Sequence, residues 1–401
     1  MTPIGGVPML QVTVGASEDI NSVDAAHAAI DIALAQLDGN APRAAVVFLG
    51  VGVDRRPALT AIRARLPGVP LIGGTTLAEL TRSMGALEGT VQVILFAGDS
   101  LEVSAGRFDL DVVGGYGDVD ELQVAARDAI AAATSTGQDS PKLCVCFGFH
   151  PMGAAPLHAA MAQALGPNVP LFGGGVTSVV GGDLEGEVCY GEELSRNAAV
   201  FLLFGGPLQI SHAVAHGFRP VGEVHQITGA QARGVLLEVD GRPAMELYRN
   251  YLGVPGGEGS MFIHNPIAVE TRDGQVLRTA FGQGPSPGSL LMAGEIEEGA
   301  SMQLCEFDRE GLLTASRTAM SDALSGWRGP PPTVALVFEC LTRWICLGTW
   351  APRSLDRMSE LLPTDTTMAG GYLAGEFAPF RVAGEGYLHN CSVVVLLMGN
   401  V

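Results

Sequence analysis

The sequence predicts a mixed α/β protein, in which a strand–helix–strand unit recurs and mixed sheets are flanked by helices. Three observations support this fold class. Runs of consecutive apolar residues, typical of strands buried on both faces, are each followed by a helical stretch. A second apolar strand then ends in a Gly-Gly pair, and another apolar strand closes the unit. This order occurs three times along the 401 residues, the third copy being the weakest.

The opening strands of the three copies begin at Ala45, Cys144 and Val334. In the first copy, the helix, second strand and closing strand follow at residues 57–66, 69–75 and 91–97. In the second copy they follow at residues 155–165, 169–175 and 198–204. In the third copy they follow at residues 354–362, 369–372 and 391–398. Glycine pairs permit the close backbone approach that a ligand or a neighbouring strand requires. Because no copy can bury its apolar face alone, the three are expected to pack on one another.

The stretch between the second and third copies has a different pattern. Residues 207–239 predict extended strands, and a helix is expected to begin near Pro243. A hairpin is predicted around Asp273-Gly274, and Asp308 is the expected N-cap of a further helix. We place a boundary near Gly206. The sequence thus predicts an N-terminal domain of residues 20–206 and a C-terminal domain of residues 207–401.

Composition excludes several classes of protein. The formal net charge of -19 repels phosphate backbones and anionic lipid surfaces, so neither nucleic acid nor membrane is an expected partner. The longest apolar stretches are shorter than the roughly 18 residues of a membrane span. No lysine or arginine precedes Arg43, so the charged start of a signal peptide is missing. The seven cysteines form no Cys-x-x-Cys pair, which indicates reduced thiols in the cytoplasm.

Short motifs follow one another in a characteristic order along both halves of the chain. Residues 70–76, 170–175 and 197–205 resemble the N-terminal domain of the FIST family in order and number. The motifs that resemble the C-terminal domain of the family are residues 237–244, Tyr248, Leu252-Gly253, Cys340 to Arg343, Glu360, Gly370 to Tyr372, Gly375-Glu376 and His389-Asn390. The likeness extends from about residue 20 to the C-terminus, so the two predicted domains look like the two FIST halves.

The resemblance implies a bacterial or archaeal intracellular sensory module that binds small ligands such as amino acids. Members are often joined to, or encoded beside, histidine kinases, diguanylate cyclases or chemotaxis receptors. Some stand-alone members are described as haem-binding nitric oxide sensors. Since this chain shows no kinase, cyclase or receptor segment, we expect it to signal in trans through a partner protein.

The expected ligand site lies at the carboxyl ends of the third copy's strands, where ligands collect in α/β units. Arg343 could hold a carboxylate with its planar fork, or form a structural salt bridge to Glu376 or Glu360. Glu376 could receive an ammonium group. Asn390 offers a donor and an acceptor, or only caps the loop before the last strand. The predicted ligand-binding set is Cys340, Arg343, Gly370, Gly371, Tyr372, Glu376, His389 and Asn390.

Two alternatives to an amino acid sensor remain open. In a haem-binding nitric oxide sensor, His389 or His150 would be the ligand of the iron, although a histidine beside a strand also serves as a structural hydrogen-bonding group. In a hydrolase, Cys340, His389 and Glu376 would act as nucleophile, base and orienting group. Nothing in the spacing enforces that geometry, so we expect no catalytic residues and no metal site other than haem.

A further possibility is a structural interaction protein, which would expose a large apolar patch. A sensor would instead enclose a polar pocket, expected largely in the second half of the chain. Its ligand must bind one conformation better than another in order to change the contact with the partner.

Overall fold

The computed structural model describes residues 10–110, 119–135, 141–149, 154–180, 183–231, 234–252, 262–380 and 386–401. Its elements repeat in one order: strand, helix, strand, helix, strand, short hairpin, strand. We call the repeats unit 1 (residues 11–97), unit 2 (residues 102–205) and unit 3 (residues 208–400). Each strand–helix–strand copy seen in the sequence is therefore part of a larger unit, because another strand and helix precede it.

Units 1 and 2 follow each other along the chain. Unit 1 consists of β1 (Gln11–Ser17), α1 (Ser22–Ala35), β2 (Pro42–Leu49), α2 (Arg55–Arg65), β3 (Leu71–Thr75), β4 (Glu79–Thr81), β5 (Gly85–Leu87) and β6 (Val91–Ala97). Unit 2 consists of β7 (Glu102–Asp109), α3 (Val119–Thr134), β8 (Leu143–Gly148), α4 (Ala155–Leu165), β9 (Leu171–Gly175), β10 (Ser178–Val180), β11 (Asp183–Glu185), β12 (Val188–Tyr190), β13 (Glu193–Ser195) and β14 (Ala198–Gly205).

Unit 3 begins with β15 (Leu208–Ala215) and is then interrupted by an insert. The insert consists of β16 (Phe218–Gln231), β17 (Val235–Val239), β18 (Arg242–Pro243), α5 (Ala244–Leu252), β19 (Ile267–Glu270), β20 (Gln275–Arg278), β21 (Ala280–Gln283), β22 (Leu290–Met292) and β23 (Ser301–Phe307). The unit resumes with α6 (Arg309–Gly326), β24 (Val334–Cys340), α7 (Leu341–Leu347), a 3-10 turn (Gly348–Trp350), α8 (Ala351–Ser359), β25 (Thr367–Leu373), β26 (Glu376–Pro379), β27 (Gly386–His389) and β28 (Val393–Asn400).

Each unit builds one six-stranded sheet with the help of another unit. Sheet 1 has the order β1-β6-β2-β3-β12-β13, sheet 2 the order β27-β26-β9-β8-β14-β7, and sheet 3 the order β15-β28-β24-β25-β4-β5. The insert forms a separate sheet of its own eight strands. The short hairpin of every unit thus extends a neighbour's sheet: β4–β5 joins sheet 3, β12–β13 joins sheet 1, and β26–β27 joins sheet 2.

Backbone hydrogen bonds tie the three units into a ring. The amide of Leu77 donates to Tyr372 (3.3 Å), that of Ala374 to Gly175 (2.7 Å), and that of Thr177 to Thr75 (3.1 Å). Each bond leads from one unit to the next, and the third returns to the first. Since every unit both gives and receives a hairpin, the three-unit body is expected to fold as one cooperative structure.

The inner faces of the three sheets share one apolar core. The pairing of each central parallel strand with the next makes Phe48, Phe147 and Phe338 equivalent residues of the three units. Their rings meet in the core, with centroids 5.3 Å apart for Phe48 and Phe147 and 6.0 Å apart for Phe147 and Phe338. The helices cover the outer faces, where α1 and α2, α3 and α4, and α6 and α8 each pack on a separate buried cluster.

The predicted fold class is confirmed, and so are several elements. Helix α4 spans the predicted residues 155–165, and the side chain of Asp308 caps α6 by accepting from the amide of Gly311. The hairpin around Asp273-Gly274 joins β19 to β20. Within the described ranges, no helix combines the length and the apolar character needed to cross a membrane.

Candidate functional site

Two of the predicted site residues, Cys340 and Glu376, lie together where β24 ends and β26 begins. The amide of Cys340 donates to the carbonyl of Ser392 (2.9 Å), and the Ser392 hydroxyl donates to Oε2 of Glu376 (2.6 Å). Both side chains are buried. The other carboxyl oxygen of Glu376, Oε1, has no hydrogen-bond partner among the described residues.

Burial governs the protonation of this pair. Removal from water raises the pKa of Glu376 well above its usual range, which favours the neutral carboxylic acid. Burial, and secondarily the negative charge of Glu376, raise the pKa of Cys340 to about 12. An activated nucleophilic thiol needs the opposite shift. The contact therefore brings the two predicted residues together in an environment that favours the neutral thiol and the neutral acid, and the Cys-dependent hydrolase stays an alternative prediction.

Asn390 and His389 serve as structural links beside this pair. Oδ1 of Asn390 accepts from the amide of Thr279 in the insert (3.3 Å), and its Nδ2 donates to the carbonyl of His389 (3.0 Å). The ring of His389 is bonded through Nε2 to the carbonyl of Ala378 (3.0 Å). Asn390 thus links the loop before the last strand to the insert, and its ligand role stays a prediction.

The glycine pair of unit 3 is explained by its neighbouring strand. A Cβ atom on Gly370, whose φ is 156°, would lie 1.8 Å from the carbonyl oxygen of Val337. A Cβ on Gly371 would lie 3.0 Å from the side chain of Thr76 in unit 1. Tyr372 is fully buried and packs edge-on against the ring of Trp344, at a centroid distance of 4.9 Å. Strand packing therefore accounts for both glycines.

Arg343 lies in a buried polar network at the start of α7. Its Nε donates to Oε2 of Glu339 (3.0 Å), and Nη1 donates to the carbonyl of His216 (2.7 Å). Nη2 donates to the carbonyl of Leu312 (3.0 Å) and to the hydroxyl of Ser316 (2.6 Å). The other oxygen of Glu339 accepts from Ser354. This network joins β24 and α7 to α6 and α8.

The occupied donors favour the structural role that was the alternative for Arg343. The partner is Glu339, however, and neither of the two carboxylates named from the sequence. Glu360 pairs instead with Arg317 (3.0 Å) at the surface, with about half of each side chain exposed. Four of the five N–H groups of Arg343 have these acceptors, and the ligand role of Arg343 stays a prediction.

Unit 1 contains an equivalent of the buried glutamate. Strand pairing places Glu79 opposite Gly371, as Glu376 is placed opposite Gly174 and Val188 opposite Gly74. The carboxylate of Glu79 accepts from the hydroxyls of Thr76 and Thr90 and from the amide of Thr90. Burial raises its pKa to about 7, despite these bonds. The chain therefore holds two buried carboxyl groups at equivalent positions, and an apolar residue at the third.

An open cleft lies elsewhere, between units 1 and 2, at residues that the sequence did not single out. Its volume is about 590 Å³, which is within the range of small-molecule sites. One wall comes from the end of α2 and the loop before β3; the other comes from β7, α3 and the turn between β12 and β13. The lining residues are Arg63, Gly68 to Leu71, Val103 to Arg107, Ala129, Ala132, Ala133, Tyr190 and Gly191.

Two guanidinium groups give the cleft its charge. Nη1 of Arg63 donates to the carbonyls of Leu66 (2.9 Å) and Val69 (2.6 Å), so the side chain is held on the unit 1 wall. Arg107, on β7, forms ion pairs with Asp109 (2.6 Å) and with Glu193. None of the cleft-lining residues within the described ranges is a carboxylate, thiol or imidazole. Since Asp109 and Glu193 balance the charge of Arg107, Arg63 is the side chain of the cleft best suited to hold a small anion.

Family models match most of the sequence. The FIST N domain model matches residues 43–242, and the FIST C domain model matches residues 244–379. The chain belongs to the FIST family. This confirms the family suggested by the ordered motifs, and FIST domains are sensory domains of signalling proteins.

The curated relatives that match this FIST protein are described as uncharacterized proteins of mycobacteria. It is 28% identical over 237 residues to the uncharacterized protein Rv0628c of Mycobacterium tuberculosis strain H37Rv, which covers 55% of this chain and 61% of that protein. It is also 28% identical over 195 residues to Mb0898c of Mycobacterium bovis, covering 46% and 49% of the two chains. The matches thus span about three fifths and one half of the relatives' lengths.

Solved structures show only a distant likeness to the FIST chain. A cyanuric acid hydrolase from A. caulinodans aligns over 97% of this chain and 99% of its own, with a TM-score of 0.36 and 12% identity. A chorismatase aligns over 98% and 99%, with a TM-score of 0.38 and 11% identity. Likenesses at these scores carry no argument about chemistry.

The haem alternative can be compared with the surroundings of His389. Burial lowers the pKa of its imidazole to about 3, and Nε2 is already bonded to a backbone carbonyl. The ring of Phe380 stands edge-on at a centroid distance of 4.9 Å. Since His389 is 4% exposed, a haem group would have to displace the side chains packed around it, and the ligand role of His389 stays a prediction. His150, the other predicted ligand, lies outside the described residues.

Proposed function

We propose that this FIST protein is a sensor that binds an amino acid or a similar small acid and signals in trans to a partner protein. The observation that carries the proposal is the cleft between units 1 and 2, with Arg63 and Arg107 on its wall. The chain as a whole has a net charge of -19. Arg63, which donates to backbone carbonyls, can attract a small anion at a point of this negative molecule where the remaining surface repels it.

The position of the cleft supports sensing. A ligand that touches both walls binds unit 1 and unit 2 at once, so its affinity depends on how the two are arranged. A difference in affinity between two arrangements is what shifts an equilibrium between them. The ion pair between Arg107 on β7 and Glu193 on β13 connects the edges of sheets 2 and 1. A ligand carboxylate on Arg107 competes with this pair and changes the link between the sheets.

The lining of the cleft favours binding over catalysis. Its ionisable groups are two arginines and a tyrosine, among the residues that the structure describes. Neither arginine can serve as a general acid or base near neutral pH. The partner, by analogy with other FIST proteins, is a histidine kinase or a diguanylate cyclase that reads the altered surface.

Ligand-dependent thermal stabilisation tests this proposal. We expect one or more of L-glutamate, L-aspartate, succinate and acetate to raise the unfolding temperature of the full chain, because a ligand of the folded state stabilises by about 2.7 kcal/mol at 100 times its Kd. Arg107→Gln should reduce the shift. Arg219→Gln is the matched control, since Arg219 forms an exposed ion pair with Asp308 in the C-terminal half. Absence of a shift with every acid at millimolar concentration would contradict the proposal.

A further inference from the structure

The junction between units 1 and 2 has two equivalents, one between units 2 and 3 and one between units 3 and 1. Equivalent residues can be assigned from the backbone alone. The amide of Gly191 donates to the carbonyl of Leu71, and the amide of Arg82 donates to that of Met368. Pro379 follows the strand residues that pair with Gly173 and Gly174 at the same positions. Gly191, Arg82 and Pro379 are therefore the same residue of the three hairpins.

At the junction between units 3 and 1, an arginine fills the space. Nη1 of Arg82 donates to the carbonyls of Pro363 (2.6 Å), Thr364 (3.3 Å) and Thr366 (3.4 Å). Its Nη2 donates to those of Ser359 (3.1 Å) and Leu362 (3.2 Å). The guanidinium thus lies against the loop that leads into β25, and the wall that it meets consists of backbone oxygen atoms.

At the junction between units 2 and 3, the imidazole of His212 lies between the two walls. His212, on β15, is the equivalent of Ala105 on β7, because both strands pair in the same register with the closing strand beside them. Nε2 of His212 donates to the carbonyl of Pro379 (2.9 Å), and its ring stands edge-on to Phe172 at 5.2 Å. His212 is 8% exposed. A side chain of this chain therefore bridges the two walls here as well.

The junction between units 1 and 2 lacks both side chains. Gly191 stands at the position of Arg82, and a Cβ atom on it would meet no atom within 4 Å. The methyl group of Ala105 stands at the position of the His212 imidazole. Both residues line the cleft. The cleft thus includes the places that larger side chains take at the other two junctions.

The unit 1 wall of the cleft presents a guanidinium group, whereas the equivalent wall at the junction filled by Arg82 presents carbonyl oxygen atoms. Leu66 and Val69 are the equivalents of Pro363 and Thr366, since β3 and β25 pair alike with β2 and β24. Arg63 already donates to the carbonyls of Leu66 and Val69 from its own helix. A group placed in the cleft therefore meets a guanidinium, where Arg82 meets carbonyl oxygen atoms.

From this comparison we infer that the cleft between units 1 and 2 is a carboxylate site, in which the acid group of the ligand lies beside Arg63 in the space that Gly191 and Ala105 leave free. Gly191 is the residue that determines access, and the unit 1 wall selects anions over cations. The inference rests on the proposed function and adds to it the side chain that receives the acid group, Arg63, and the two small residues that leave space for it, Gly191 and Ala105. It needs no residue of the buried Cys340–Glu376 pair.

Two substitutions copied from the chain's own junctions test the inference. Gly191→Arg reproduces the residue of the junction between units 3 and 1, and Ala105→His reproduces that of the junction between units 2 and 3. Gly191→Ala is the matched control, because it imposes the same left-handed backbone on a residue with a side chain but fills almost none of the space (φ 60° at Gly191). Circular dichroism and thermal unfolding verify that each full-length variant is folded.

Isothermal titration with L-glutamate, succinate and acetate, and with guanidinium chloride as the cationic probe, gives the readout. We expect the carboxylate that binds best to the natural chain to bind at least about tenfold more weakly to Gly191→Arg and Ala105→His, and within about threefold to Gly191→Ala. Guanidinium should give no binding heat at this site. Carboxylate binding that persists in both filled variants overturns the inference and leaves the sensor proposal standing. No carboxylate binding to the natural chain overturns both.

Discussion

Arg82→Ala should lower the free energy of unfolding of this protein strongly. The side chain donates to five backbone carbonyls at distances of 2.6 to 3.4 Å. A hydrogen bond to a charged group contributes about 1.5–3 kcal/mol net. Two nitrogen atoms share the five acceptors, and the side chain is only half-buried. The expected loss in the free energy of unfolding is therefore about 2–4 kcal/mol.

The corresponding substitution in unit 1 should cost less. Arg63 donates to two carbonyls, so Arg63→Ala is expected to lose about 1–2 kcal/mol. Arg219→Ala is the control, because its single ion pair with Asp308 is exposed and such pairs contribute about 0–1 kcal/mol. Urea denaturation at constant salt measures all three, since the midpoint shifts with stability while the slope stays constant.

Urea is preferred to guanidinium because guanidinium itself can act as a probe. Added at about 20 mM, guanidinium chloride should stabilise Arg82→Ala more than it stabilises the natural chain, by filling the vacated place against the five carbonyls. Sodium chloride at the same concentration corrects for ionic strength. An Arg82→Ala midpoint equal to that of Arg219→Ala would refute the view that this arginine holds the junction between units 3 and 1.

Two further predictions concern buried charges. Glu79→Gln should flatten the pH dependence of the free energy of unfolding. Burial raises the pKa of Glu79 in the folded state to about 7, so the stability contributed by its protonated form is fully present below the unfolded pKa near 4.5. This contribution, of up to about 3 kcal/mol, is lost as the pH rises through 7. Equal pH profiles of variant and natural chain in urea would contradict this. Arg343→Met should cost about 3–5 kcal/mol by leaving Glu339 buried and unpaired, and Glu339→Gln in the same chain should recover part of the loss. No recovery in this double-mutant cycle would contradict the pairing.

Local patterns in the sequence were sufficient to predict the repeated units. A buried parallel strand is a continuous apolar run, and the helix after it has its own period, so both signals lie within a few adjacent residues. The N-cap at Asp308 and the helix at residues 155–165 depend on equally local chemistry. The first strand and helix of units 1 and 2 were not predicted, whereas those of unit 3, β15 and α6, fall within predicted elements. Strand β1 and helix α1 precede the Gly-Gly motif that defined the repeat, and α1 is rich in alanine.

The exchange of hairpins between units could not be predicted in this way. Strands β4, β5, β12 and β13 have three residues each, too few to show an alternating pattern. Their partners lie far away in sequence, as when Leu80 pairs with Gly370. Pairing of this kind depends on how whole units pack, and no short window of sequence contains that information. The exchange also decides which residues face each other across the three junctions.

The structure brings some of the predicted site residues together, but the sequence carries no information about whether their side chains face a cavity. Cys340 and Glu376 meet because parallel strands end at a common edge, which the sequence does indicate. The sequence does not say whether an arginine at that edge faces a cavity. Arg343 has its donors on Glu339 and on backbone and hydroxyl oxygen atoms contributed by α6 and the start of the insert. These acceptors give Arg343 a structural role in the core, and its ligand role stays a prediction.

The three units share a backbone plan, so the places where they differ are the informative ones. The buried carboxyl position holds Glu79, Glu376 and Val188, and unit 2 is thus the one that has become apolar there. The junction position holds Arg82, Pro379 and Gly191, and the hairpin of the same unit 2 is the one that leaves a junction open. Gly191 has a φ of 60°, which favours glycine and strains any larger side chain, so the turn alone explains this residue. The space beside Ala105 and Arg63 is what distinguishes this junction, and the arginine indicates the charge of a ligand that would fit there.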